Sequence, residues 1–230
     1  MSSPSFRTSR DFTPTAAMAM AVAVAVIVGC GSKPDLPLGQ PFCVEGRWSP
    51  LGNLDPVTQA DYVGEYRGVA GNPLNVVTES GVLCASATDH DACVSNATAP
   101  TGFPPNNACD PAGNCTHYLV TTLGDDVRFM TTVDQLAAFF GEIDTPDEAA
   151  LLVAFARYTL YSFDFNDNAV CGDPADAGAA ATADGFELVA TQYTKSCAPI
   201  ELSRLHLHVS RAGQIDVTGA QVIERSPACF

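Results

Sequence analysis

Apolar and polar positions change pattern three times along this chain. Ala16–Val28, AAMAMAVAVAVIV, is a run of thirteen uncharged, mostly apolar residues behind a polar leader that carries Arg7 and Arg10. From Phe42 to about Thr116 the apolar stretches are short and broken by Gly, Pro, Asn and Asp. Here NPLNVVTESGVLC (Asn72–Cys84) predicts one strand, or a hairpin about Glu79-Ser80-Gly81, and Thr88–Cys115 predicts loop. From His117 the pattern becomes regular. HYLVTTL (His117–Leu123) and VRFMTTV (Val127–Val133) flank Gly124-Asp125-Asp126 and predict a hairpin. Val133, Leu136, Ala137 and Phe140 then share one helical face, with Thr131 or Thr132 to cap it and Gly141 to end it.

A second helix starts at Thr145-Pro146-Asp147-Glu148, where an N-cap hydroxyl, Pro at N1 and Glu at N3 form a capping box. Ala149, Leu152, Val153, Ala156 and Leu160 continue one face. Leu151 and Phe155 make the helix apolar around much of its circumference, and Arg157 near its end suits the helix dipole. Cys171–Gly185 is a low-complexity stretch predicted as surface loop. Phe186–Lys195 predicts a strand. Leu202–Ser210 alternates, with Leu205, Leu207 and Val209 on one side and Arg204, His206 and His208 on the other. Gln214–Ile223 returns from the Arg211-Ala212-Gly213 turn, with Gly219 as a bulge. Strands joined by short turns around two helices predict an α+β fold: an antiparallel sheet with a two-helix layer on one face, preceded by a cysteine-rich loop/β segment and stabilised by disulfides.

The apolar run is too short to cross a membrane as a helix, which takes about 20 residues. A positive leader followed by such a run has the form of a secretory signal. Its end, Ile27-Val28-Gly29-Cys30, resembles the lipobox of bacterial lipoprotein precursors, with Ile27 where Leu is usual. The resemblance covers about the first 30 residues. It implies that Cys30 receives a diacylglycerol, that cleavage falls before it, and that the freed amine is acylated. Two or more acyl chains give a stable anchor where one gives only marginal binding. Gly31, where an Asp would retain a lipoprotein at the inner membrane, favours the outer membrane. The expected organisation is a signal peptide over 1–29, a lipidated tether over 30–41, a cysteine-rich segment over 42–116 and an α+β domain over 117–230, with 42–230 as a single domain the alternative. DTPDEAALLVAFARY, DGFELVATQYTKSC and the closing hairpin also resemble a group of bacterial lipoproteins for which no activity is established. That resemblance spans roughly Val127–Phe230.

Composition sharpens the compartment. The formal net charge is −15, and loss of Arg7, Arg10 and Asp11 with the leader takes it to −16. Nucleic acid and anionic membrane surfaces both call for a basic face, so neither is an expected partner. The nine cysteines are Cys30, Cys43, Cys84, Cys93, Cys109, Cys115, Cys171, Cys197 and Cys229. With Cys30 lipidated, an even number remains in a compartment that permits oxidation. Nearest-neighbour pairing expects Cys84–Cys93, Cys109–Cys115 and Cys171–Cys197, with Cys43–Cys229 joining the ends. The chain has no CxxC pair, and the cysteine spacings fit no zinc knuckle.

Candidate chemistry is sparse. Asp164, Asn166 and Asn168 have the alternating oxygens of a calcium loop, and Asp173 and Asp176 lie just beyond. Ala169 and Ala175 stand where an EF-hand needs Gly and Glu. His206 and His208 fall about 7 Å apart on one strand face, a spacing that can share a metal if His117 or Asp89-His90-Asp91 adds a third ligand. There is no GxSxG, SxxK, HExxH or glycine-rich phosphate loop. Trp48, the only tryptophan, reads as a buried anchor or a partner contact. The expectation is an envelope-anchored lipoprotein that needs no cofactor and acts as a non-enzymatic binding or structural module, meeting the membrane through its lipid. The alternative is an envelope hydrolase with a site built from dispersed residues.

Overall fold

The computed structural model describes residues 38–56, 59–67, 75–98, 117–163, 168–197 and 199–227. Within them run strands β1 (Cys43–Val44) and β2 (Arg47–Trp48), a 3-10 turn (Pro50–Asn53), β3 (Tyr62–Arg67), β4 (Asn75–Gly81) and helix α1 (His90–Thr98). Then come β5 (His117–Leu123), β6 (Asp126–Met130), α2 (Val133–Phe140), α3 (Pro146–Phe155), β7 (Tyr161–Phe163) and β8 (Ala169–Cys171). The last four strands are β9 (Gly178–Ala181), β10 (Gly185–Lys195), β11 (Ile200–Ser210) and β12 (Ile215–Ser226). They form three four-stranded sheets, ordered β4-β3-β5-β6, β1-β2-β8-β7 and β12-β11-β10-β9. Every pairing is antiparallel.

Antiparallel sheet with helices is therefore present, but the single sheet under a two-helix layer is not. The fold is richer in β-structure because the segment before His117 supplies strands of its own. TYR-rich β3, with Tyr62, Val63 and Tyr66, pairs with both β4 and β5. α1 stands where a loop was expected; Asp89 Oδ1 accepts the Ala92 N–H at 3.0 Å and caps it. β9 lies inside the expected Cys171–Gly185 loop. Its run of small residues lets another backbone approach: Gly39 and Ala179 exchange hydrogen bonds of 3.2 and 2.8 Å, and the Gln40 amide reaches the Ala177 carbonyl at 2.7 Å. The end of the expected tether, residues 38–41, is thus held against β9.

Both helices predicted from their caps are present. Thr132 caps α2 in a box with Gln135, and Gly141 ends it; Thr145 and Glu148 box the start of α3. α3 stops at Phe155 rather than running on to Leu160, and Arg157 lies beyond it in a left-handed conformation (φ 71°). α3 is buried on every side, packing against the 3-10 turn, β9 and β10. One core joins Phe42, Trp48 and Leu51 from the cysteine-rich segment to Leu136, Phe140, Leu151, Leu152, Leu188 and Leu207 from the later elements. A smaller cluster of Tyr66, Ala97, Tyr118 and Val120 fills the space between α1 and the other face of the β4-β3-β5-β6 sheet.

Cys84 pairs with Cys93, tying the end of the β4 turn to α1. Cys43 pairs with Cys171, with Cα atoms 6.3 Å apart. This replaces two expected pairs, Cys43–Cys229 and Cys171–Cys197. The reason is the small sheet: β2 pairs with β8, and the Cys171 N–H donates to the Gly46 carbonyl at 2.9 Å, which brings residues 128 apart in sequence side by side. Cys197 is also disulfide-bonded. Cys30, Cys109, Cys115 and Cys229 lie outside the described residues, as does the lipobox.

Candidate functional site

A buried polar cluster is centred on Glu65, in the middle of β3. Strand alternation puts Tyr62, Gly64 and Tyr66 on the α1 face and Val63, Glu65 and Arg67 on the face toward the main core. Glu65 is fully buried there. Its Oε2 accepts the Trp48 indole N–H at 2.6 Å, and its Oε1 accepts the Tyr161 hydroxyl at 3.0 Å and meets His117 Nε2 at 2.8 Å. The register explains the last contact, since Glu65 opposes Leu119 and Arg67 opposes His117 on β5. Four strands thus meet at one carboxylate: β2, β3, β5 and β7.

Aromatic packing closes the cluster. Trp48 stacks on Tyr161 with centroids 4.6 Å apart and touches Phe42 at 5.3 Å. The His117 ring lies against Phe155, the last residue of α3, at 3.9 Å. The Arg67 guanidinium sits 5.4 Å from the centre of the Tyr161 ring. Burial, reinforced by the Glu65 charge, raises the Tyr161 phenol well above its ordinary range, so it remains a proton donor. Trp48 is accordingly a buried anchor, with 2% of its surface exposed.

A pair of buried acids lies at the start of α3. Glu148 accepts three backbone N–H groups, from Asp55 (3.0 Å), Asp144 (3.1 Å) and Thr145 (3.2 Å). Asp147 Oδ2 accepts the Asn53 side-chain amide at 3.1 Å, while Oδ1 is buried without a hydrogen-bond partner. Desolvation raises both carboxyls above their ordinary range, against the pull of these hydrogen bonds.

The residues singled out from sequence do not converge. Asp164 and Asn166 lie outside the described residues, and Asn168 is the residue before β8. Asp173 accepts the Ala175 N–H in a local turn, and Asp176 is paired with Arg204. His206 and His208 share the outer face of β11, as the alternation predicts. His206 is exposed, and His208 Nε2 meets Asp184 at 3.3 Å. His117 belongs to a different sheet, and His90 and Asp91 are exposed on α1. Among the described residues, no group of three or more His, Cys, Asp and Glu can hold a metal ion.

Chemically, a carboxylate–histidine pair at 2.8 Å is the orienting half of a general-base dyad. Here the carboxylate is saturated by three donors inside the core, which makes the arrangement a brace between strands. A hollow of about 450 Å³ lies elsewhere, lined by Arg128, Phe129, Met130, Gln135, Ala138 and Phe139. It carries no acid or histidine. Sequence reasoning missed Glu65. The available signal was its place on the Val63 side of an alternating Tyr-Val-Gly-Glu-Tyr run, downstream of the lone tryptophan. Compared with family models, with curated proteins and with solved structures, the chain matches none.

Proposed function

We propose that this chain is the precursor of an exported bacterial lipoprotein, anchored to the cell envelope through Cys30, with its folded part acting as a non-enzymatic binding or structural module. The observation that carries the reading is the lipobox-like end of the apolar run, Ile27-Val28-Gly29-Cys30. The disulfides Cys43–Cys171 and Cys84–Cys93 support it, because structural disulfides belong to oxidising compartments. The hydrogen bonds that tie Glu65 to Trp48, His117 and Tyr161 brace four strands, which fits a rigid module that presents a surface. Gly31 favours the outer membrane as the site of the anchor.

The test is metabolic labelling with palmitate, followed by membrane fractionation of the parent and of Cys30→Ala. The parent takes up label and sediments with membranes. The variant takes up none and keeps its leader. Equal labelling of the two overturns the reading. The hydrolase alternative rests on the Glu65–His117 pair; it requires that Glu65→Gln abolish turnover of some envelope ester or peptide while the fold is retained.

A further inference from the structure

Among the described residues β12 is the edge of its sheet, and one side of its backbone faces no other strand. At 12 residues it is the longest strand among those described, and it is exposed almost throughout. Its register shows which way its side chains point. Ile215, Val217, Ala220 and Val222 oppose Val209, Leu207, Leu205 and Ser203, four of the five buried residues of β11. Their side chains therefore lie on the core side of the sheet. Yet Val217 is 53% exposed and Val222 38%, because α3 packs on β9 and β10 and leaves β12 overhanging. An open edge beside an open apolar row is a template for another strand. Edges are blunted by shortness, lysine, proline, β-bulges or inward-pointing charge; β12 is long and has no lysine or proline, while its register shifts twice and Arg225 faces the core side.

The strand is complementary to itself. We propose that β12 joins two copies of this chain, pairing antiparallel about a twofold axis between Thr218 and Gly219. In that register Ile215 lies opposite the partner's Val222, Val217 opposite the partner's Ala220, and Asp216 opposite the partner's Gln221. The apolar pairs fall on the core side and the polar pairs on the outer side, so both faces match. The β11–β12 register shifts at this centre, leaving Thr218 as the extra residue beside Gly219, whose missing side chain eases approach of the second backbone. Two registers shifted toward the C-terminus fail. An axis at Ala220 sets Asp216 against the partner's Glu224, two like charges. An axis between Ala220 and Gln221 sets Asp216, which faces outward, against the partner's Arg225, which faces the core side with Glu201. Complementarity of one surface to itself is what a twofold dimer requires and what an unrelated peptide does not.

Charge adds a signature. Each copy carries a net charge of −15, so the bodies repel while the strands attract. Salt screens that repulsion over roughly 8–10 Å at 0.1–0.15 M, so added salt tightens the dimer.

The experiment is sedimentation equilibrium of the full chain in density-matched detergent, with circular dichroism to verify folding. The parent has twice the chain mass, and its dimer strengthens between 0.05 and 0.5 M salt. Val217→Glu weakens association at least tenfold, which is about 1.4 kcal/mol. Adding Ala220→Lys to that variant sets a cation opposite each new carboxylate and restores the dimer. A parent that stays monomeric at every concentration and salt overturns the proposal. So does a folded Val217→Glu variant that dimerises like the parent, a folded double variant that stays monomeric, or a different protein co-sedimenting in place of the second copy.

Discussion

Replacing Glu65 by leucine removes the carboxylate on which four strands converge and leaves its donors in place. Trp48 and Tyr161 are 2% and 4% exposed, so neither the indole N–H nor the phenol can turn to water. Each buried donor left without an acceptor costs about 1–3 kcal/mol. His117, whose side chain is 13% exposed, has water within reach and adds little. The expected loss is about 4 kcal/mol for the two donors together, which at roughly 2–4 °C per kcal/mol for a chain of this size lowers Tm by about 8–16 °C. Glu65→Gln behaves differently. Its carbonyl can accept from Trp48, and its amide can donate to the Tyr161 oxygen and to a neutral His117 ring nitrogen, so it loses less than half as much.

The assay is urea unfolding followed by far-UV circular dichroism, with Trp48→Phe to close a double-mutant cycle. Removing the indole N–H relieves part of the leucine penalty, so the coupling between the two sites falls at about 1–3 kcal/mol. A Glu65→Leu chain within 1 kcal/mol of the parent, or a glutamine variant as unstable as the leucine one, refutes the reasoning.

Three further outcomes follow from the same structure. Cys43–Cys171 closes a separation of 128 residues and Cys84–Cys93 one of 9; on loop entropy, replacing the first pair by serine costs about 5 kcal/mol and the second about 3, and denaturant titration showing the reverse order contradicts this. The buried Asp147 carboxyl has its pKa raised by desolvation, so the folded state binds its proton more tightly and stability falls as pH rises through the carboxylate range. Asp147→Asn is therefore more stable than the parent at neutral pH, and unfolding series at successive pH values show that advantage shrinking on acidification; an advantage that grows on acidification contradicts the assignment. Gly81 has φ +84°, and a Cβ there would run into the Asp61 carbonyl, whereas Gly46 at φ +77° has open space around it. Gly81→Ala thus lowers Tm clearly more than Gly46→Ala, and equal losses by thermal scan count against the close approach.

Much of the second half was legible because its signals are local. Thr132 and Thr145 cap their helices through neighbours three residues away, and β11 alternates from Leu202 to Ser210. The first half was less legible because its order comes from distant partners. β3 reads weakly by itself but is paired on both sides, and β9 is a run of small residues that forms a strand because β10 and Gly39 flank it. The Cys43–Cys171 bond follows from a sheet that joins residues far apart, which no spacing rule contains. The Glu65 cluster was hidden for the same reason: Trp48, Glu65, His117 and Tyr161 are scattered through the sequence and meet only in the fold.

Lipid on the first cysteine and disulfides among the rest divide the sulfurs, and intact-mass analysis of membrane-extracted protein measures that division directly. The predicted species begins at Cys30, carries diacylglycerol and acyl mass, takes up no alkylating agent as isolated, and takes up eight equivalents after reduction, one for every cysteine except Cys30. A leader-bearing chain without lipid, alkylated at its cysteines before any reductant is added, contradicts it.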